Sequence, residues 1–233
     1  MSEQDELKRA AAAKALELVR DGMLIGLGSG STANFFTEGV GRLVREGMKV
    51  RGVPTSRATA ELAAANGIPI VTELIGQIDL TVDGADEVEQ SLNLIKGRGG
   101  ALFREKVVAA ASKRFVVVVD ESKVVKHLGV GVLPVEVLAY LWRSTAHRIA
   151  SVATSLTVRG GEETPYITDN GNLILDLVIE GGITDAPGLA NALKAMTGVV
   201  EHGLFIGLTD TCIVAGPDGP LVVGRQSGAA ASL

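Results

Sequence analysis

The chain has one cysteine, three histidines and only 3% aromatic residues, and each scarcity removes a class of explanation. Cys212 has no partner for an internal disulfide, so it reads as a buried structural thiol of a protein kept in a reducing cytoplasm. His127, His147 and His202 show no metal-ligand spacing to one another or to a carboxylate pair, and no metal site is expected. With so few rings, the core must be built from Val, Leu, Ile and Ala. Uncharged apolar runs never reach the roughly 20 residues that cross a bilayer. The N-terminus, MSEQDELKRA, opens acidic and polar where a secretory signal would open basic. Positive charge is not in excess either: a net charge of −5 argues against nucleic acid as the main partner. These exclusions leave a cytoplasmic protein with no membrane or nucleic-acid partner. Its 233 residues suffice for one large domain, or a main domain with a smaller one attached.

What is present begins with periodicity. Residues 5–20 read as an amphipathic helix stopped at Asp21-Gly22, and residues 23–27 as a short buried strand. A helix is expected over 32–45, with Ser31 as N-cap and Ala33, Phe36, Val40 and Leu43 on one face. Strand 49–53, helix 57–65 and strands 68–71 and 78–82 follow, punctuated by Gly and Pro. RFVVVVD, residues 114–120, has no polar alternation and reads as a strand buried on both faces. Strands alternating with helices predict an α/β fold, an open and mostly parallel Rossmann-like sheet with helices on both faces.

Beyond residue 130 the pattern changes. Pro134 is expected to precede a helix of about 15 residues. Residues 156–159 and 166–179 read as antiparallel strands, with the Asn-Gly turn signal in DNGN, residues 169–172. A helix over 188–196 and a strand over 199–206 complete a small α+β unit. The expected division is a main α/β catalytic domain, residues 1–130 and 207–233, carrying an inserted small α+β domain, residues 131–206. The strand at 211–215 and the PDGP turn return to the main sheet, and the terminal SGAAASL should fray.

The chemistry is concentrated in Asp79–Ser112. Asp83 and Asp86 flank Gly84-Ala85 directly after an apolar run, at the carboxyl end of a strand where open α/β sheets place ligands. A helix or turn cap is the lesser alternative for both, more so for Asp83. Lys96, after Leu94-Ile95 and before Gly97-Arg98-Gly99-Gly100, reads as a charge directed at a ligand; for Arg98 a surface role fits as well. Glu105, taken alone, reads as one more exposed helix charge in the run Arg104-Glu105-Lys106. GLGSGSTA, residues 26–33, is not a dinucleotide fingerprint, because Ser31 stands where the third glycine belongs and no acidic residue ends the next strand. It is not a P-loop, since no lysine follows at the required spacing, and no Ser-His-Asp context surrounds it. A strand, a glycine turn and a helix N-terminus still make an anion seat, with Ser29, Gly30, Ser31 and Thr32 around it; a plain tight βα turn is the alternative. A carboxylate base, further acids and a lysine suit proton transfer beside a carbonyl.

Taken together, GLGSGSTA (26–33), VPTS (53–56), TVDGADEV (81–88), LIKGRGGALFREKVVA (94–109), DESK (120–123), LPVEV (133–137) and TDNGNLILD (168–176) resemble the ribose-5-phosphate isomerase type A family, in its order and over nearly the whole chain. The resemblance implies a cofactor-free and metal-free interconversion of D-ribose 5-phosphate and D-ribulose 5-phosphate through an enediolate. It implies that Glu105 abstracts the proton, and that Asp83, Gly84, Ala85 and Asp86 line the sugar site, with the two aspartates tied to ring opening and hydroxyl positioning. Lys96, in Lys96-Gly97-Arg98-Gly99, would hold substrate oxygens or phosphate. Ser29 to Thr32 would form the phosphate-side loop, with Lys123 and Lys8 as further contacts. Ser29 stands where threonine is usual, and Arg98 where glycine is frequent. The only partner implied is a small sugar phosphate, apart from self-association as a homodimer or homotetramer. Rival readings are a deaminase or isomerase of another sugar phosphate, a non-enzymatic sugar-phosphate-sensing domain and a coenzyme A transferase-like protein.

Overall fold

A computed structural model describes residues 2–74 and 76–225. Helix α1 (Glu3–Leu16) is capped by Ser2, whose hydroxyl accepts from the Asp5 amide, and it buries Ala11, Ala12 and Ala15. It is shorter than its periodicity suggested, because residues 17–18 already form a turn. The chain continues through β1 (Leu24–Leu27), α2 (Ser31–Arg45), β2 (Arg51–Pro54), α3 (Arg57–Ala65) and β3 (Leu80–Asp83). Two short strands, β4 (Glu87–Val88) and β5 (Leu94–Ile95), lead to α4 (Leu102–Ala110) and the long β6 (Phe115–Asp120). Residues 68–71, expected as a strand, contribute only a single bridge from Ile70 to Gly52.

In the second half come β7 (Leu133–Val137), α5 (Trp142–Ile149), β8 (Ser155–Val158), β9 (Leu173–Val178), α6 (Ala186–Lys194), β10 (Val199–His202) and β11 (Leu204–Phe205), followed by the hairpin of β12 (Thr211–Gly216) and β13 (Gly219–Gly224). The main sheet has the order β13-β12-β6-β3-β1-β2, parallel except for the β12–β13 hairpin at its edge. A second sheet, β10-β7-β9-β8, is antiparallel, and β11-β5-β4 forms a third. Residues 227–233, expected to fray, lie outside the described residues.

Alternation along β6 explains the layering. Val116 and Val118 join the core under α1 and α2, whereas Phe115, Val117 and Val119 join the one that includes Ala109 of α4. Helices therefore cover both faces, and the uninterrupted apolar run of this strand is a requirement of its position. A separate core of Leu133, Val135, Val137, Leu173, Leu175, Leu177 and Leu193 lies beneath the antiparallel sheet.

Three expectations fail here. Pro134 lies within β7 instead of preceding a long helix, and α5 has only eight residues. Proline is tolerated in this interior strand because β10 pairs with β7 only from Val135 onward, so its missing N–H leaves no ladder bond unmade on that side. Residues 166–172 are not strand: Thr168 and Asn172 close a tight turn, and β9 starts only at Leu173. The segment 199–206 breaks at Gly203, where β10 stays with β7 and β11 crosses to β5.

Candidate active site

The chain leaves β1 for β2 on one side and returns to β3 on the other, and this reversal opens a crevice beyond the strands' carboxyl ends. Asp83 ends β3 there, buried to 1% exposure. Its Oδ1 accepts from the amides of Ser29 (3.1 Å) and Gly84 (2.7 Å), tying the end of one strand to the turn after its neighbour. Gly28 makes this approach possible, since a Cβ at that position would stand 2.3 Å from Asp83 Oδ1.

Lys96 and Glu105 complete a buried triad. Lys96 Nζ lies 3.2 Å from Asp83 Oδ2 and 3.2 Å from Glu105 Oε1, and donates to the Gly84 carbonyl at 2.5 Å. Residue exposures of 2% for Lys96 and 5% for Glu105 remove nearly all water screening. Burial alone would lower the Lys96 ammonium, but Asp83, then Glu105 and Asp86, outweigh it and hold the group above its ordinary value, so the lysine stays charged. Burial drives Glu105 the other way: desolvation pushes its carboxyl up to about 8, against the pull of Lys96. Asp83 is also raised by burial, with Lys96 again opposing. Glu105 Oε2 has no hydrogen-bond partner. One oxygen of the carboxylate is held by the lysine while the other is available to a proton on a ligand.

A cleft of about 510 Å3 opens over Lys96 and Glu105, whereas Asp83, expected to line the sugar site, is not among its lining residues. Lys8, Ser29, Gly30, Ser31, Thr32, Gly84, Ala85, Asp86, Lys96, Gly97, Gly99, Glu105 and Lys123 all line it, so residues from five separate stretches converge. At the far wall α2 begins without a side-chain cap and with no acid in its first turn. Its N-cap is Gly30, held at φ 103°, and not Ser31, which is already the first helical residue; a side chain at position 30 would resist that backbone angle. Free amides, the positive end of the helix dipole and, besides Lys96, the side chains of Lys8 and Lys123 then face one cavity, which makes an anion seat. The Ser29 hydroxyl is engaged in a cluster with those of Thr55, Ser56 and Thr59, at 2.8 to 3.0 Å.

Other residues fall outside the expected pattern. Asp86 lines the cleft and also accepts from the Arg98 amide at 2.9 Å, so its turn-holding and site-lining readings both apply. The Arg98 guanidinium does not line the cleft; it pairs at 3.0 Å with Glu87, a carboxylate buried to 2% exposure that also accepts from the amides of Gly129, Val130 and Gly131. Glu105 is buried rather than an exposed helix charge. Sequence reading missed Asn34, Ser56, Thr59, Asp120, Tyr166 and Asp169 as lining residues. Ser56 and Asp120 stood inside motifs already singled out, VPTS and DESK. Tyr166 and Asp169 arrive from the segment before β9, which no local spacing connects to Asp79–Ser112. Among the described residues, no three His, Cys, Asp or Glu side chains converge so as to hold a metal ion, and no helix is long and apolar enough to cross a membrane.

Comparison with known proteins agrees with this geometry. The profile of ribose 5-phosphate isomerase A (phosphoriboisomerase A) matches residues 51–219. Ribose-5-phosphate isomerase A of Rhodopseudomonas palustris strain BisB18 is 49% identical, covering 95% of this chain and 98% of that protein. The ribose 5-phosphate isomerase A structure from Methanocaldococcus jannaschii superposes with a TM-score of 0.90 at 39% identity, covering 95% of this chain and all 100% of its own. A D-ribose-5-phosphate isomerase solved in complex with phospho-erythronic acid gives a TM-score of 0.91 at 36% identity, covering 96% and 100%. With matches of this extent in both sequence and fold, the chain belongs to the ribose 5-phosphate isomerase A family.

Proposed function

We propose that the protein interconverts D-ribose 5-phosphate and D-ribulose 5-phosphate. The observation that carries this reading is that the buried Glu105–Lys96 pair opens onto the same cleft as the uncapped N-terminus of α2. In this reading the phosphate rests on the α2 amides beside Lys8 and Lys123. Asp86, on the cleft wall, handles the hydroxyls and ring opening, and Asp83 pairs with Lys96 at 3.2 Å. The unpartnered Oε2 of Glu105 takes the proton from C2 and returns it to C1, while Lys96 stabilises the enediolate oxygen that forms between the two steps. Arg98 acts only through its amide, which holds Asp86. Kinship with proteins named for ribose 5-phosphate favours a pentose over an amino-hexose phosphate. Purified protein with ribose 5-phosphate and a chelator is expected to yield ribulose 5-phosphate. No product, or faster turnover of an amino-hexose phosphate, refutes the assignment.

Self-association as a homodimer or homotetramer belongs to the same proposal. It is supported by three successive or near-successive apolar side chains left in the open between β7 and α5: Leu138 at 49% exposure, Tyr140 at 81% and Leu141 at 65%. Light scattering coupled to size exclusion should report a multiple of the monomer mass; a monomer at micromolar concentration sinks the idea.

A further inference from the structure

The turn Thr168-Asp169-Asn170-Gly171-Asn172 has no part in the chemistry above, yet its polar side chains are all committed. Three of them converge on one oxygen of Glu136, a carboxylate with 0% exposure in β7: Thr168 Oγ1 donates at 3.0 Å, Asn170 Nδ2 at 3.0 Å and Asn172 Nδ2 at 2.8 Å. Three donors on this one oxygen fix the turn's position against the antiparallel sheet, while the other, Oε2, is buried without a partner. The outer side of the turn grips the main sheet's helices. Arg104 donates from Nε to Asn170 Oδ1 at 2.8 Å and from Nη2 to the Asp169 carbonyl at 3.0 Å. Asp169 Oδ2 accepts from the Arg57 amide at 2.7 Å, at the start of α3.

Arg104 and Glu105 are adjacent in the first turn of α4, and that turn has no side-chain cap of its own: Ala101 occupies the N-cap. Helix ends without caps fray unless something outside holds them. Here one external hold is the Asn170 amide, whose NH2 is on Glu136 and whose oxygen is on Arg104; Asp169 supplies the others, its carbonyl at 3.0 Å and its carboxylate at 3.6 Å from Arg104.

We propose that Asn170 is a positioning residue for the proton transfer, setting the first turn of α4, and with it Glu105, against Lys96 through the chain Glu136–Asn170–Arg104. This inference rests on the isomerase reading. Asn170 is exposed and does not itself line the cleft, and its replacement still leaves Thr168 and Asn172 donating to the buried Glu136 oxygen. Displacing a base by a fraction of an ångström to one ångström penalises the chemical step far more than binding.

The test is steady-state kinetics of Asn170→Ala, in the native chain and in an Arg104→Lys background that lacks the guanidinium Nε. Asn170→Ala should lower kcat about tenfold with KM changed less than about twofold. In the Arg104→Lys background the same change should lower kcat by less than about twofold, because the link it breaks is already gone. Thermal unfolding of each variant checks that all are folded at the assay temperature; a fold defect would reduce active enzyme equally in both backgrounds. Unchanged kcat, a loss confined to KM, or equal losses in both backgrounds overturns the proposal. The wild type separates the two levels: an inactive wild type sinks the isomerase reading itself, whereas an active wild type with an equally active Asn170→Ala sinks only the positioning role.

Discussion

Glu105→Gln is expected to lower kcat about 10³-fold while ribose 5-phosphate binding stays within about threefold. The amide fills the same volume but cannot accept the C2 proton, and Asp83, whose Oδ2 is also without a hydrogen-bond partner, does not line the cleft. Lys96 keeps Asp83 at 3.2 Å in the variant, so no lone cation is buried and the fold should survive. The pH dependence follows from burial. Desolvation pushes Glu105 up to about 8, with Lys96 opposing, so kcat/KM of the native protein should rise with pH as the carboxylate forms, with an apparent pKa belonging to the Asp83–Lys96–Glu105 cluster as a whole. The variant should lose that limb. Stability runs the opposite way: the folded value lies above the ordinary 4.5, so the contribution of the protonated carboxyl is complete below 4.5 and is lost as pH rises through about 8. Glu105→Gln should flatten that part of the stability profile. Turnover above a tenth of native, measured alongside retained substrate binding, would remove Glu105 from its role.

Lys96→Met should damage both catalysis and the fold. Removing the ammonium leaves Asp83 and Glu105, with 1% and 5% exposure, without their shared cation. Breaking a buried ion pair from one side costs about 3–5 kcal/mol. Catalysis should fall by a further factor of about 10²–10³ per folded molecule, because the charge developing on the enediolate loses its fixed counter-ion. The sign of the pH effect separates this from a packing defect. Without Lys96 the two carboxyls gain protons more readily, so the stability loss should shrink at pH 5, where they can be neutral, and widen at pH 8, where ionisation is forced. Urea midpoints at both pH values read this directly. Equal losses at the two would mean that the lysine contributes shape alone.

Much of the fold is legible from local pattern. FVVVVD can hardly be anything but a strand covered on both sides, and the helix at 57–65 coincides with α3, its Ser56 cap accepting from the Thr59 amide. The failures have one character. Pro134 is a helix opener by its neighbours and a strand residue by its partners, because β9 and β10 arrive from 35 or more residues away. DNGN does form a tight turn, but its asparagines face Glu136 and Arg104 instead of closing a simple hairpin. Arg98 lies in a ligand-like motif, yet its half-exposed guanidinium pairs with Glu87, a carboxylate that no local pattern marks.

Asp79–Ser112 marks the boundary between what sequence and structure decide. Sequence by itself determined the alternation of strands and helices, and the residue types at each strand end, because side-chain period and glycine placement are local properties of the chain. It could also name Asp83, Asp86, Lys96 and Glu105 by their resemblance to a family. Only the tertiary structure decided that Glu105 is buried, that Lys96 stands between it and Asp83, and that the uncapped end of α2 faces the same cleft. The physical reason is that a carboxyl group's proton affinity depends on the dielectric and the charges within a few ångströms, and those neighbours are chosen by packing across the sheet, not by position along the chain.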